Sequence, residues 1–171
     1  MKIISIDPGY EKIGIAILEK EKSGKKESLI FSECFKTKSS LPEYERLKLI
    51  GERVEEIIEK YKPEVLAIEK LFFNNNQKTA MLVAEARGVI IYQASVKNIE
   101  IAEYTPLQIK IAITGYGRGD KKQVIFMVEK LIEVKKEIKE DDEYDAIAVG
   151  LTYFACNKFK EKSYPQKTIT K

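Results

Sequence analysis

The stretch "DDEYDAIAVG" (141–150) puts four acids into five residues and then turns almost wholly apolar. On a helix, Asp145 lies one turn before Ala148 and Val149, in the row that continues to Thr152 and Cys156. A carboxylate leading a core-facing row needs a basic side chain or a metal ion, because burying it unpaired is costly. Asp7 and Glu69 pose the same problem, each closing a short apolar run, "KIISID" (2–7) and "EVLAIE" (64–69). Carboxylates that converge repel one another and raise each other's pKa. Two divalent cations resolve that conflict, and cations held about 3.5–4 Å apart stabilise both oxygens of a phosphoryl displacement while acidifying a water. Spacing does not separate Asp141 from Asp142, which are i,i+4 and i,i+3 from Asp145. Each acid alone reads equally as a turn former or a first-turn acid. The set favours a site, because three separated segments each place an acid beside a buried element.

The absence of histidine strengthens this reading. It removes Ser–His and Cys–His catalysis, histidine general bases and histidine-ligated zinc. With two cysteines, Cys34 and Cys156, a four-thiolate zinc site is excluded as well. Carboxylates and lysines must carry any chemistry, and carboxylate oxygens select Mg²⁺ or Mn²⁺. The cysteines read as reduced, buried thiols. The net charge of +3 permits nucleic-acid binding without arguing for it. No apolar run approaches membrane-spanning length, and "MKIISID" lacks the pattern of a signal peptide, so a cytoplasmic protein is expected.

The elements that must position these acids follow from periodicity. Strands are expected at 2–7, 12–20 and 28–35, joined by short turns as an antiparallel meander. Ser40 and Glu43 fit a capping box before a helix with Leu47, Ile50, Val54, Ile57, Ile58 and Tyr61 at helical spacing, closed by Pro63. Residues 64–69 then form a buried strand returning parallel to the first. Residues 77–98 make a long helix, apolar around much of its circumference, and so either a core or an interface helix. A fifth strand (99–104), a short helix opened by Thr105-Pro106, a helix capped by Asp120 and Gln123, and a last helix from about Asp142 to Phe159 complete the chain. The expected architecture is an α/β fold: one five-stranded mixed sheet with helices on both faces. Residues 1–160 read as a single domain and 161–171 as a polar tail. Asp7 and Glu69 would meet at the carboxyl ends of adjacent parallel strands, where ligand sites of such sheets cluster.

These residues resemble the RuvC family of Holliday-junction resolvases. "IISIDPGYEKIGIAIL", "LAIEKLFFNNNQKTAMLVAEARGVI", "YTPLQIKIAITGYGRGDKKQV" and "DEYDAIAVGLTY" occur in the family's order, from residue 3 to about 156. The resemblance implies a ribonuclease H-like fold, and a homodimer that nicks two opposed strands of four-way junction DNA with Mg²⁺. It also implies cooperation with the RuvA–RuvB branch-migration complex. By motif, Asp7, Glu69, Asp142 and Asp145 fall on the family's four metal-binding acids, which selects Asp142 over Asp141. Lys110 and Lys121 match lysines important for activity, with Lys122 adjacent and undistinguished from Lys121. Phe72 matches an aromatic near the crossover, able to stack on an unpaired base. The glycine-rich loop with Arg118 suits close approach to phosphate.

Three other readings compete. "IDPGYEKIGIAI" also looks like the phosphate-binding hairpin of actin-like and sugar kinases, but those need two such domains. A non-catalytic junction binder and a nuclease acting on RNA or hybrids share the expected fold.

Overall fold

The structure is a computed structural model that describes residues 1–21, 26–71 and 77–163. Five strands form one sheet: β1 (Lys2–Asp7), β2 (Lys12–Glu19), β3 (Ser28–Lys36), β4 (Val65–Glu69) and β5 (Glu100–Tyr104). Their order is β3-β2-β1-β4-β5. The meander is antiparallel, whereas β4 runs parallel to both β1 and β5. Among the described residues there are five helices: α1 (Glu43–Tyr61), α2 (Gln77–Val96), α3 (Pro106–Thr114), α4 (Lys121–Leu131) and α5 (Asp141–Ser163).

Alternation along β1 explains the two-sided fold. Ile4 and Ile6 pack with Ile50, Val54 and Ile57 of α1 and Ala86, Ile90 and Ala94 of α2. Ile3, with Ala16 and Leu18 of β2, packs on the opposite face against Ile109, Val124, Val128 and the Ala146–Val149 run of α5. Strand side chains point alternately to the two faces, so a strand with both faces covered must be apolar throughout.

Two helix starts near the site are set by local chemistry. Thr105 accepts from the Gln108 amide, with Pro106 opening α3, and Asp120 accepts from the Gln123 amide to open α4; both are reciprocal capping boxes. Each such cap contributes about 1 kcal/mol. The expected box at Ser40 and Glu43 does not form. Pro42 occupies the N-cap of α1 with no side-chain cap, and α1 begins directly at Glu43. A cap side chain must sit immediately before the first helical residue, and Ser40 lies too early. Lys62 closes α1 in the left-handed region, φ 49°.

The last helix runs to Ser163, four residues past the expected end. The cysteines are free but only half-buried, not buried. The faces of α2 also differ: Ala86, Ile90 and Ala94 are buried, while Met81, Tyr92 and Val96 are exposed.

Candidate active site

Asp7 is the last residue of β1 and Glu69 the last of β4, and Ile6 pairs with Ile68 in the parallel register. The two carboxylates therefore leave the same end of adjacent strands. The following Pro8-Gly9 turn is held tightly: an added Cβ on Gly9 would meet the Lys12 carbonyl oxygen at 1.8 Å. Buried Arg46 braces this turn from α1. It donates to Thr37 Oγ1 (2.9 Å) and to the Tyr10 carbonyl (3.3 Å), and its guanidinium lies 3.7 Å from the Tyr10 ring centre.

At the second strand Arg87 of α2 donates from Nε to the Glu69 carbonyl at 3.1 Å and forms an ion pair with Glu103. The Lys70 amide continues the β4–β5 pairing by donating to the Tyr104 carbonyl at 2.8 Å. Arg87 lies within the family-like stretch "LAIEKLFFNNNQKTAMLVAEARGVI", but only the fold brings it to the end of β4.

Helix α5 is seated by three contacts. Gly14 lets the helix start lie against β2, since a Cβ there would fall 1.8 Å from the Asp142 carbonyl oxygen. Glu143 is buried, accepts from Ser32 Oγ at 2.6 Å and pairs with Lys136, which also donates to the Ser32 carbonyl at 2.7 Å. Glu140 pairs with Lys12 (2.6 Å) and with Lys36. Glu143 is thus more than a first-turn acid: it joins α5 to β3.

Asp7, Glu69, Pro106, Ile109, Lys110, Lys121, Val124 and Asp145 line one pocket of about 300 Å³. Lys121 lies 3.1 Å from Asp145 and 3.5 Å from Asp141. Asp145 therefore has a basic partner in the structure. Lys122 and Arg118 are exposed and do not line the pocket. Between Lys121 and Lys122, the geometry brings Lys121 to the acids. Asp142 sits beyond the pocket lining, and Cys34 Sγ donates to its Oδ2 at 4.0 Å. Phe72 lies outside the described residues.

Electrostatics mark the pocket as short of positive charge. Burial pushes the Asp7 carboxyl up to about 8, helped by Glu69, Asp145 and Asp142, with Lys121 opposing. Burial and then Asp145 raise Glu69 to about 7 against the pull of Lys110. Burial also raises Asp145, which Lys121 partly offsets. An all-oxygen donor set that holds protons this tightly fits a hard divalent cation, which replaces protons with a fixed charge.

Among the described residues, one trio brings its ligand atoms mutually within 4.8 Å: Cys34, Glu140 and Asp142. That trio is a poorer cation site than the pocket. Two lysines already neutralise Glu140, and burial with Asp142 raises the Cys34 thiol to about 11, keeping it a proton donor. Asp7, Glu69 and Asp145 do not bring their ligand atoms together as such a trio among the described residues.

A pH dependence of stability follows. The folded Asp7 carboxyl titrates near 8 against an ordinary 3.8. Its stabilising proton is fully present below the unfolded pKa and lost as pH rises through the folded one. In chelator, the melting temperature should fall between about pH 5 and pH 8, and a divalent cation should raise it more at pH 8 than at pH 5. A melting temperature that climbs over this range in chelator, with no cation effect, would contradict the assignment.

A β3-β2-β1-β4-β5 sheet covered by helices on both faces, with acids at the shared end of β1 and β4, is the arrangement of a ribonuclease H-like protein. The family profile described as "Crossover junction endodeoxyribonuclease RuvC" matches residues 3–153. A crossover junction endodeoxyribonuclease RuvC of Thermosipho melanesiensis is 47% identical over 88% of this chain and 94% of its own length. One from Fusobacterium nucleatum is 42% identical over 90% of this chain and 80% of its own. The solved structure of Thermus thermophilus RuvC in complex with Holliday junction substrate superposes with a TM-score of 0.86 at 29% identity, covering 94% of this chain and 96% of that one. The chain belongs to the RuvC family of crossover junction endodeoxyribonucleases.

Proposed function

We propose that this protein is a structure-selective endonuclease that resolves four-way DNA junctions in recombination and repair by paired symmetric nicks. Water attacks phosphorus in line, the P–O3′ bond breaks, and the products carry a 5′-phosphate and a 3′-hydroxyl. The observation that carries this reading is the pocket joining Asp7, Glu69 and Asp145 with Lys110 and Lys121. Acids that resist ionisation call for cations, and lysines beside them suit an anionic substrate.

Asp7, Glu69, Asp142 and Asp145 would hold Mg²⁺, with Mn²⁺ as a substitute. When bound, the cations supply charge stabilisation for the attacking and leaving oxygens and lower the pKa of water. Lys121, paired with Asp145 and Asp141, is positioned to hold a phosphate oxygen once Asp145 is engaged elsewhere. Lys110 approaches from α3 beside Glu69 and offers a second point charge. Arg118 and Lys122 remain exposed cations for more distant phosphates, and Phe72 is assigned to an unpaired base at the crossover.

Two opposed nicks call for two sites related by a two-fold axis. The exposed row of Met81, Tyr92 and Val96 on α2 is the proposed homodimer face. Cooperation with the RuvA–RuvB branch-migration complex belongs to the same reading, and co-sedimentation on a synthetic junction tests it. Among the described residues no helix is long and apolar enough to cross a membrane, and a cytoplasmic setting is proposed.

The deciding experiment compares Mg²⁺-dependent cleavage of a labelled four-way junction, a linear duplex of the same sequence and an RNA–DNA hybrid. Paired symmetric nicks in the junction alone, by a species twice the 19.6 kDa chain mass in sedimentation, are expected. Tight junction binding without cleavage in either metal would leave a binding protein. Preferential cleavage of the hybrid would move the substrate to another nucleic acid.

A further inference from the structure

Lys12 and Lys36 are Cα partners across the antiparallel β2–β3 ladder. Like charges placed directly opposite on one sheet face destabilise the pair. Glu140 sits between them and pairs with both, so two ammonium groups share one directly bonded carboxylate, with Asp142 a further, weaker attraction on Lys12. Seating α5 would need only one lysine, yet both keep their side chains about half exposed, at 48% and 52%. Their position is informative too. Glu140 lies within 4.8 Å of Asp142 at the ligand atoms. Lys12 and Lys36 thus border the acids from the β2–β3 side of β1, whereas Lys110 and Lys121 border them from the β4 side, where they share the pocket with Glu69. Strands lie about 4.8 Å apart, so Lys36 on β3 stands roughly 10 Å across the sheet from Asp7 on β1.

We propose that Lys12 and Lys36, held side by side by Glu140, form a second phosphate-binding subsite for the DNA strand that enters or leaves the acidic pocket, on the flank opposite Lys110 and Lys121. The inference rests on the nuclease reading above. A strand crossing the strand ends meets cations, then the acids, then cations again. Glu140 keeps the two ammonium groups adjacent and ordered before DNA arrives. A phosphate oxygen then joins the two ammonium groups that share Glu140, and no side chain has to be recruited from elsewhere.

The test is junction binding by fluorescence anisotropy in chelator, which keeps the strands intact, for wild type, K12Q/K36Q, E140Q and the triple variant. Salt is varied between about 50 and 200 mM. K12Q/K36Q should bind roughly tenfold more weakly and flatten the log–log salt dependence by about 1–2, as loss of phosphate contacts does. E140Q should bind several-fold more tightly, because it frees positive charge, and the triple variant should track K12Q/K36Q. A double variant with wild-type affinity and slope would overturn the subsite. So would an E140Q chain that weakens binding as much as the double variant, which would make all three residues a seat for α5. Wild type that binds no junction at all would instead sink the nuclease reading on which the subsite rests. Melting curves of each variant establish that binding is compared between folded chains.

Discussion

Asp7→Asn and Asp145→Asn chains should each lose junction cleavage by about three orders of magnitude or more while still binding the junction. Removing a single preorganised donor at a reaction centre costs roughly 10²–10³ in rate, and a cation ligand organises more of the site than one donor does. The Asp7 variant carries a second signature. Burial and three neighbouring acids hold the native carboxyl near a pKa of about 8. Asparagine has no charge to suppress, so the variant should fold at least as stably as wild type in chelator, and its melting temperature should lose much of the decline toward pH 8. Its cation-dependent gain in melting temperature should shrink as well. Loss of cleavage with a rise or no change in stability marks a residue kept for chemistry rather than for folding. Asp145→Asn leaves Lys121 with Asp141, 3.5 Å away, so the lysine remains in place and the loss reports on the acid alone. Near wild-type cleavage by either variant would remove that acid from the assigned site.

Gly14→Ala should be comparably damaging, although residue 14 bears no functional group. The new Cβ would sit 1.8 Å from the Asp142 carbonyl oxygen, 2.6 Å from its carbon and 3.1 Å from Ala146 Cβ. Backbone atoms cannot rotate away, so the start of α5 must lift off β2 and carry Asp142 and Asp145 with it. A displacement of about 1 Å at a reaction centre costs on the order of 10²-fold in rate, and overpacking of this kind costs about 1–3 kcal/mol or more in stability. Gly150→Ala provides the comparison. Its Cβ would meet side-chain atoms, Leu18 Cδ1 at 2.6 Å and Ser5 Oγ at 2.7 Å, two turns further along α5. That variant should be destabilised yet keep cleavage within roughly threefold of wild type per folded molecule. Denaturant melts and single-turnover rates on both chains separate the cases. If Gly14→Ala cleaves as well as Gly150→Ala, the close seat of α5 does not set the geometry of the acids.

Much of this architecture is legible in the amino-acid sequence. Strand and helix periodicities, the meander, the parallel return of β4 and the convergence of Asp7 with Glu69 depend on local pattern and on rules of sheet connection, and those act within short windows of sequence. The absence of histidine narrowed the chemistry to carboxylates and lysines by residue type alone. The order of the motifs pointed to the family, to Asp142 over Asp141, and to lysines 110 and 121.

What tertiary structure decided were pairings between residues far apart in the chain. Both lysines are exposed, but Lys121 turns to Asp145 and Asp141 and lines the pocket while Lys122, its neighbour in sequence, does not, because the capped start of α4 fixes which side of the helix faces the pocket. Arg87 reaches the Glu69 carbonyl only once α2 has packed over β4. Glu143, which by itself reads as a first-turn acid, is buried against Ser32 because α5 crosses β3 at that turn. The missing cap at Ser40 is the same lesson on a smaller scale, since a pattern match does not set where a helix begins. Residue type and local spacing limit what chemistry a chain can perform. Which of two adjacent lysines or four clustered acids performs it depends on helix rotation and strand register, and those are set by the packing of the whole sheet.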